Sequence, residues 1–154
     1  MIPTLTAIVM SVFSLVSLAF LVGCSKPEPI PIAYGKDECV SCRMSISDSK
    51  YGAEAVTTKA KTYKFDALEC MLRWYAASSV PQADIHSLWV TDFIRPGELI
   101  DARSAFYLES AMFHSPMGMN YAAFRTNEER LRARFSYPGS DHTYDEALTA
   151  AKGR

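Results

Sequence analysis

Hydrophobic and polar residues in the first half of the chain follow the spacings of short strands and one helix. Small and β-branched residues over 51–59 and the alternation over 61–65 predict an antiparallel hairpin. A helix is predicted to begin at Asp66, with Glu69 as its capping partner, because a hydrophobic face follows at i, i+3, i+4 and i+7. That face consists of Leu68, Met71, Leu72 and Tyr75. A third strand is predicted over 87–93.

The second half of the chain repeats this order of elements. Strands are predicted over 104–109 and 120–124. Two helices are predicted to begin after Thr126 and Thr143, because each residue is followed by a glutamate at the capping-box spacing. The narrow hydrophobic face predicted for the first of these helices consists of Leu131 and Phe135.

This repetition predicts the fold class. Strand, strand and helix occur twice, and Phe65 and Phe124 occupy matching positions before the two predicted helices. We therefore predict an α+β fold of two similar halves with small antiparallel sheets, followed by a C-terminal helix. The halves are expected to cover about residues 36–100 and 101–154.

The N-terminal segment resembles a bacterial lipoprotein signal. Residues 4–22 carry no charge and end in Leu-Val-Gly before Cys24, which predicts a signal peptide over 1–23 and acylation of Cys24. The absence of Lys and Arg from the first four residues departs from that pattern, and an uncleaved membrane anchor is the alternative. Residues 24–35 contain alternate prolines and are predicted to form an extended tether to a domain over 36–154.

Composition and motifs exclude several functional classes. The net charge of -1 and the absence of interleaved basic and aromatic residues argue against nucleic acid as a partner. No phosphate-binding glycine loop or nucleophile–base motif is present in the sequence, so we do not predict an enzyme. The lipid anchor predicts attachment to a membrane, on the periplasmic side of the outer or inner membrane. By resemblance to lipoprotein sorting signals, Ser25 rather than Asp after the lipidated cysteine implies the outer membrane.

A motif of two thiols and a thioether follows the tether. Cys39, Cys42 and Met44 lie within six residues, and this combination of soft ligands favours Cu(I). A thioredoxin-like redox pair, haem attachment and a structural disulfide are the alternatives. Haem attachment requires a histidine where Arg43 stands, and no predicted helix begins at the motif to lower a thiol pKa.

A second group of candidate metal ligands lies in the segment 110–119. Methionines and a histidine occur here between Pro and Gly, on a loop where no core face needs them. The candidate ligands are Met117, Met119 and His114, with Met112 a weaker candidate. The alternative is that these methionines fill the core.

Three cysteines remain in the chain after the lipidated one, so they cannot all pair within it. At least one thiol is expected to be free, metal-bound or paired with another molecule. Cys70 follows Glu69 on the predicted helix and is interpreted as a small buried thiol, with metal ligation as the minor alternative.

These motifs together resemble the NosL family of copper-binding accessory lipoproteins for nitrous oxide reductase. The matching features are the lipobox ending at Cys24, the Cys39-x-x-Cys42-x-Met44 motif, the Ser-Pro-Met-Gly segment over 115–118 and Ala123-Phe124 before a capped helix. The resemblance spans most of the mature chain. Many family members carry Gly or His between the second Cys and the Met, so Arg43 removes one possible nitrogen ligand.

The resemblance implies a fold, a cargo and partners. The fold is two strand-strand-helix-strand halves, similar in topology to organomercurial lyase. The cargo is Cu(I), and the partners are copper-enzyme assembly proteins and apo nitrous oxide reductase, to which copper is delivered through a periplasmic partner of a membrane transporter. Assembly as a homodimer is left open. A lipid-anchored thiol-disulfide oxidoreductase that uses Cys39 and Cys42 is the alternative function.

Overall fold

The computed structural model describes residues 26–153, and this part of the chain forms two small antiparallel sheets and three α-helices. The first half contains β1 (Ala53–Thr57), β2 (Thr62–Phe65), α1 (Leu68–Ala77), a short 3₁₀ turn (Gln82–Asp84), β3 (Ile85–Thr91) and β4 (Leu99–Asp101). The second half contains β5 (Phe106–Glu109), β6 (Tyr121–Phe124), α2 (Asn127–Ser136), β7 (Ser140–His142) and α3 (Tyr144–Lys152). The predicted α+β class and the doubled strand-strand-helix-strand order are confirmed.

The two sheets are joined where β3 ends. The first sheet has the strand order β2-β1-β3-β4, and the second has the order β6-β5-β7. Asp92 forms a parallel bridge with Ala123 of β6, and the backbone N–H of Phe93 donates to the Ala123 carbonyl at 2.9 Å. The backbone that leaves the first sheet therefore runs directly against an edge of the second.

Two hydrophobic clusters hold the halves together. The larger cluster lies between the first sheet, α1 and α3, so that Met71 of α1 and Ala147 of α3 belong to the same core. The smaller cluster is mostly aromatic and contains Phe93, Phe113 and Phe124. Because α3 comes from the second half and packs on α1 of the first, the halves share one main core.

The predicted capping box of α1 is wrong, whereas the other two are confirmed. Helix α1 begins after Ala67, which makes no side-chain capping bond. Glu69 instead turns into the protein and is fully buried. Capping boxes are present at Thr126 for α2 and at Thr143 for α3.

The predicted hydrophobic face of α2 does not pack on the core. Leu131 is 43% exposed and Phe135 is 89% exposed, while the buried residue of the helix is Ala133. Ion pairs fasten this helix instead, because Arg95 pairs with Glu129 and Asp141 accepts from arginines of the helix. The helix meets the smaller core through Ala133, so Leu131 and Phe135 lie on its outer side.

The packed domain begins earlier than residue 36. Ile32 is buried in the main core, and the backbone N–H of Ile30 donates to the buried Glu54 carboxylate at 2.8 Å. The tether therefore lies against the first sheet over its last residues. No helix within residues 26–153 has the length and apolar character needed to cross a membrane. The predicted signal peptide and the lipidation at Cys24 lie outside the described residues.

Candidate metal centre

The cysteine motif folds into a tight loop closed by backbone hydrogen bonds. Glu38 and Ser45 form an antiparallel bridge at its base. The Cys39 N–H donates to the Met44 carbonyl at 2.8 Å, and the Arg43 N–H donates to the Cys39 carbonyl at 2.9 Å. These bonds bring the two cysteines of the motif to the same turn of the chain.

Two local features complete this loop. Arg43 has a φ of 65°, a left-handed conformation that is uncommon for residues other than glycine and that reverses the chain after Cys42. The Val40 N–H donates to the Lys64 carbonyl of β2 at 3.0 Å. The loop is therefore docked on the edge of the first sheet, next to the start of α1.

Helix α1 brings a third thiol to the loop. The sulfur atoms of Cys39, Cys42 and Cys70 all lie within 4.8 Å of one another, and all three thiols are free. With metal–thiolate bonds of about 2.3 Å, two sulfurs on one ion can lie at most about 4.6 Å apart. Small side-chain movements therefore suffice to place all three sulfurs on one metal ion.

Cys70 is a stronger candidate metal ligand in the structure than in the sequence, where ligation was the minor alternative. It is indeed a buried thiol, but it lies in the first turn of α1 with its sulfur in the cluster. The odd number of cysteines after Cys24 was the only sequence signal for a third ligand.

The cluster stabilises negative charge at Cys39. The Cys70 thiol donates a hydrogen bond to the Cys39 sulfur, and this bond contributes most to lowering the pKa of Cys39 to about 4. The backbone N–H groups of Cys42, Asp66 and Ser41 also point to this sulfur, and together these bonds outweigh the burial that raises the pKa. A concave set of amides of this kind binds anions.

The other two thiols retain their protons. The hydrogen bond to Cys39 raises the pKa of Cys70, and burial adds to the effect. Burial also raises the pKa of Cys42. The metal-free cluster therefore contains one thiolate and two thiols at neutral pH, and an ion that binds all three sulfurs displaces two protons.

Exposure increases from the interior of the cluster outward. Cys39 is fully buried and Cys70 is 1% exposed, Cys42 is partly exposed, and the nearby Met44 is 53% exposed. A soft thioether thus lies on the surface two residues beyond the outermost thiol of the cluster.

The methionine loop, residues 110–119, is folded around a β-turn. The Gly118 N–H donates to the Ser115 carbonyl at 3.0 Å, and Gly118 has a φ of 75°, which suits glycine. The turn places Pro116 and Met117 at its two corners. The Ser115 hydroxyl accepts from the Asn120 N–H at 2.8 Å and closes the base of the turn.

The predicted ligands of this loop lie in different environments. Met117 is partly buried against the main core, whereas Met112 and His114 are exposed. Met119 is 1% exposed and belongs to the core, so the expectation that no core face needs these methionines is wrong for Met119. Among residues 26–153, the Cys, His, Asp and Glu side chains grouped for metal binding are the three cysteines, and His114 is not among them.

Glu69 joins the methionine loop to the helix that carries Cys70. Its Oε1 atom accepts from the Ser115 hydroxyl at 2.6 Å and from the Met119 N–H at 3.2 Å. One end of the loop is therefore fastened one residue away from a cysteine of the cluster.

The chain is similar in sequence and fold to proteins whose names describe copper binding. A sequence model of the NosL family matches residues 29–145. The copper-binding lipoprotein NosL of Stutzerimonas stutzeri is 30% identical over 127 residues, which covers 74% of this chain and 67% of the relative. The crystal structure of the copper chaperone NosL from Shewanella denitrificans matches with a TM-score of 0.64 at 18% identity, covering 78% of this chain and 96% of that chain. This structural match shows a shared fold.

Proposed function

The chain belongs to the NosL family, and from this premise we propose that it is an extracytoplasmic Cu(I) metallochaperone. In this proposal Cys24 carries the lipid anchor, and the cargo is delivered through assembly proteins to a maturing copper enzyme, apo nitrous oxide reductase. The observation that supports it best is the convergence of three thiols from a loop and a helix on one point.

The chemistry of the cluster favours Cu(I) as the cargo. Thiolate and thioether ligands select soft monovalent copper, and the structure adds Cys70 to the predicted thiols Cys39 and Cys42. Met44 and Met117 are the proposed thioether ligands. Met119 is a weaker candidate because it packs in the core, and His114 because its ring lies outside the group formed by the three cysteines. Structural zinc sites generally have four Cys or His ligands, and the cluster within residues 26–153 has three.

The gradient of exposure accounts for both retention and release. Two buried thiols, Cys39 and Cys70, hold the ion away from solvent. Ligands of a partner reach the ion from the side of Cys42 and Met44, where the site is open. Because thioethers are neutral and bind copper weakly, they exchange first, and the thiolates follow as the partner's ligands replace them.

Anaerobic titration of the reduced protein with Cu(I) tests this proposal. We expect saturation at one equivalent with an ultraviolet thiolate-to-copper charge-transfer band, and loss of tight binding in Cys42→Ser. Ser41→Ala is the matched control, because it changes the same loop without removing a sulfur. The proposal fails if no charge-transfer band develops or if Cys42→Ser binds as tightly as the unchanged protein.

Delivery is tested separately by mixing the copper-loaded protein with apo nitrous oxide reductase and its assembly proteins. Copper should leave the chaperone and appear in the reductase. The absorption bands of the reductase copper centres measure this transfer. No transfer from a protein that does bind Cu(I) would indicate a copper-storing lipoprotein instead.

A thiol-disulfide oxidoreductase is the second candidate function. One observation favours it: the pKa of Cys39 is lowered to about 4 beside two other thiols, as in redox-active sites. The methionines distinguish the functions, because a redox enzyme needs only the thiols. If Met44→Leu combined with Met117→Leu retains full Cu(I) affinity and the protein reduces a model disulfide catalytically, the oxidoreductase is the better assignment.

A further inference from the structure

We propose that Glu69 is a positioning residue that holds the methionine loop against α1 and thereby sets the rate of Cu(I) release. This inference rests on the proposed function, because it assigns to Glu69 the control of the ligand Met117. The link it forms spans 46 residues of sequence and joins the two halves of the domain.

The burial of Glu69 shows that its carboxylate serves tertiary structure. The side chain is fully buried, and its Oε2 atom lies buried without a hydrogen-bond partner. Burying a carboxylate is unfavourable unless other groups bind it. Here the compensation comes through Oε1 alone, from the Ser115 hydroxyl at 2.6 Å and the Met119 N–H at 3.2 Å.

Both donors belong to the part of the loop that presents Met117. Ser115 and Met119 flank the turn, and the Ser115–Asn120 hydrogen bond closes it into a compact unit. A bond from Glu69 to both sides of this turn fixes the unit as a whole. Loss of these bonds therefore loosens the turn on the α1 side and gives Met117 room to move, while Met119 stays packed in the main core.

The position of Glu69 in the sequence connects this fastening to the thiols. Glu69 precedes Cys70 in the first turn of α1, so the fastened loop and the third thiol share one rigid helical turn. Met117 packs partly buried against the same core that contains Cys39 and Cys70. The fastened turn thus holds the Met117 thioether against the core that Cys39 and Cys70 share, and in this proposal its detachment withdraws Met117 from that core.

The test measures Cu(I) release into excess chromophoric Cu(I) chelator by stopped flow. We compare the unchanged protein with Glu69→Ala and Glu69→Gln, each also in a Met117→Leu background. Glu69→Ala should release copper about tenfold faster or more, because both hydrogen bonds that fasten the turn to α1 are lost. Glu69→Gln keeps an oxygen acceptor and should restore a rate near that of the unchanged protein.

The Met117→Leu background separates positioning from general destabilisation. If Glu69 acts through Met117, Glu69→Ala should have no further effect on release once the thioether is gone. Glu54→Ala is the matched control, because Glu54 is also fully buried with one unpartnered oxygen but fastens Ile30 instead of the loop. It should lower thermal stability as Glu69→Ala does and leave the release rate unchanged.

The inference is overturned if folded Glu69→Ala releases copper at the original rate, or if it accelerates release equally in both backgrounds. If Glu69→Ala does not fold, Ser115→Ala is used in its place, because it removes the other partner of the 2.6 Å hydrogen bond. Its copper release rate is then compared in the same two backgrounds. A wild-type protein that binds no Cu(I) refutes the proposed function, and this inference with it. A wild-type protein that binds Cu(I) while Glu69→Ala is unchanged refutes the inference alone.

Discussion

Cys70→Ala is the substitution that best separates a thiol ligand from a packing residue. The side chain is 1% exposed, and the change removes only its sulfur atom from the core. A deletion of about this size in a core costs about 1 kcal/mol, so the variant should still fold. Its thermal unfolding transition checks that expectation before any binding measurement.

The metal-free variant should show a changed titration of Cys39. Hydrogen bonding from Cys70 contributes most to lowering the pKa of Cys39 to about 4. A hydrogen bond to a charged group contributes about 1.5–3 kcal/mol, which corresponds to a rise of about 1–2 pH units in the titration midpoint when the bond is lost. The pH dependence of thiolate absorbance or of alkylation at Cys39 measures this midpoint.

Stability should respond with a definite sign. Between the lowered pKa of Cys39, about 4, and the ordinary thiol value of about 8.5, the unfolded chain binds a proton that the folded metal-free protein does not. The contribution of Cys39 to the free energy of unfolding therefore rises with pH in this window, and this contribution is lost as pH falls toward 4. In Cys70→Ala the pH range over which Cys39 adds stability should begin at a higher pH, because the pKa of Cys39 in the folded variant is higher.

Copper affinity supplies the decisive readout for Cys70→Ala. Removing a direct ligand should weaken Cu(I) binding by about tenfold or more, since even outer partners of a metal site contribute 10–100-fold. Competition against a chromophoric chelator measures this loss. An unchanged titration of Cys39 together with unchanged affinity would show that Cys70 only fills the core.

Two further predictions concern other positions. Met71→Ala should lower the free energy of unfolding by about 2–5 kcal/mol, because Met71 is fully buried in the main core. Copper binding by the folded fraction should remain, and a loss of affinity without a loss of stability would contradict the core role of Met71. For Cys24, mass spectrometry of the native protein should show a mature chain that starts at Cys24 and carries acyl groups. A chain that retains Met1 in the membrane fraction would exclude lipidation.

Local sequence patterns predicted the helices and strands. Contacts between residues far apart in the sequence determine the features that these patterns did not predict. The hairpin and the helix face of Leu68, Met71 and Leu72 follow from spacing alone, and all three side chains are buried. Glu69 has the spacing of a capping residue, but its carboxylate binds a loop 46 residues away. The local sequence pattern does not show whether this carboxylate caps the helix or binds the methionine loop.

The same reasoning explains the metal centre. Cys39 and Cys42 are neighbours in sequence, and their spacing predicts that their sulfurs lie together, as they do in the structure. Cys70 joins them only because the Val40 N–H pairs with β2 and thereby places the loop beside the start of α1. Leu131 and Phe135 have a helical spacing that predicts burial, yet their helix contacts the core through Ala133 and both side chains are exposed.

The contact between the two halves limits which part of the protein can move during copper exchange under the proposed function. Asp92 is fully buried and pairs with Arg95 and Arg125, while Arg95 also reaches Glu129 of α2. Removing one partner of a buried ion pair is strongly unfavourable, so a hinge motion at this point would expose or orphan a buried charge. The packing of α3 on α1 opposes the same motion, because it would open the main core. Under the proposed function, exchange of copper therefore takes place through a movement smaller than separation of the halves. The turn that carries Met117 meets this requirement, since two hydrogen bonds to one oxygen of Glu69 fasten it to α1, while Met119 stays packed in the main core.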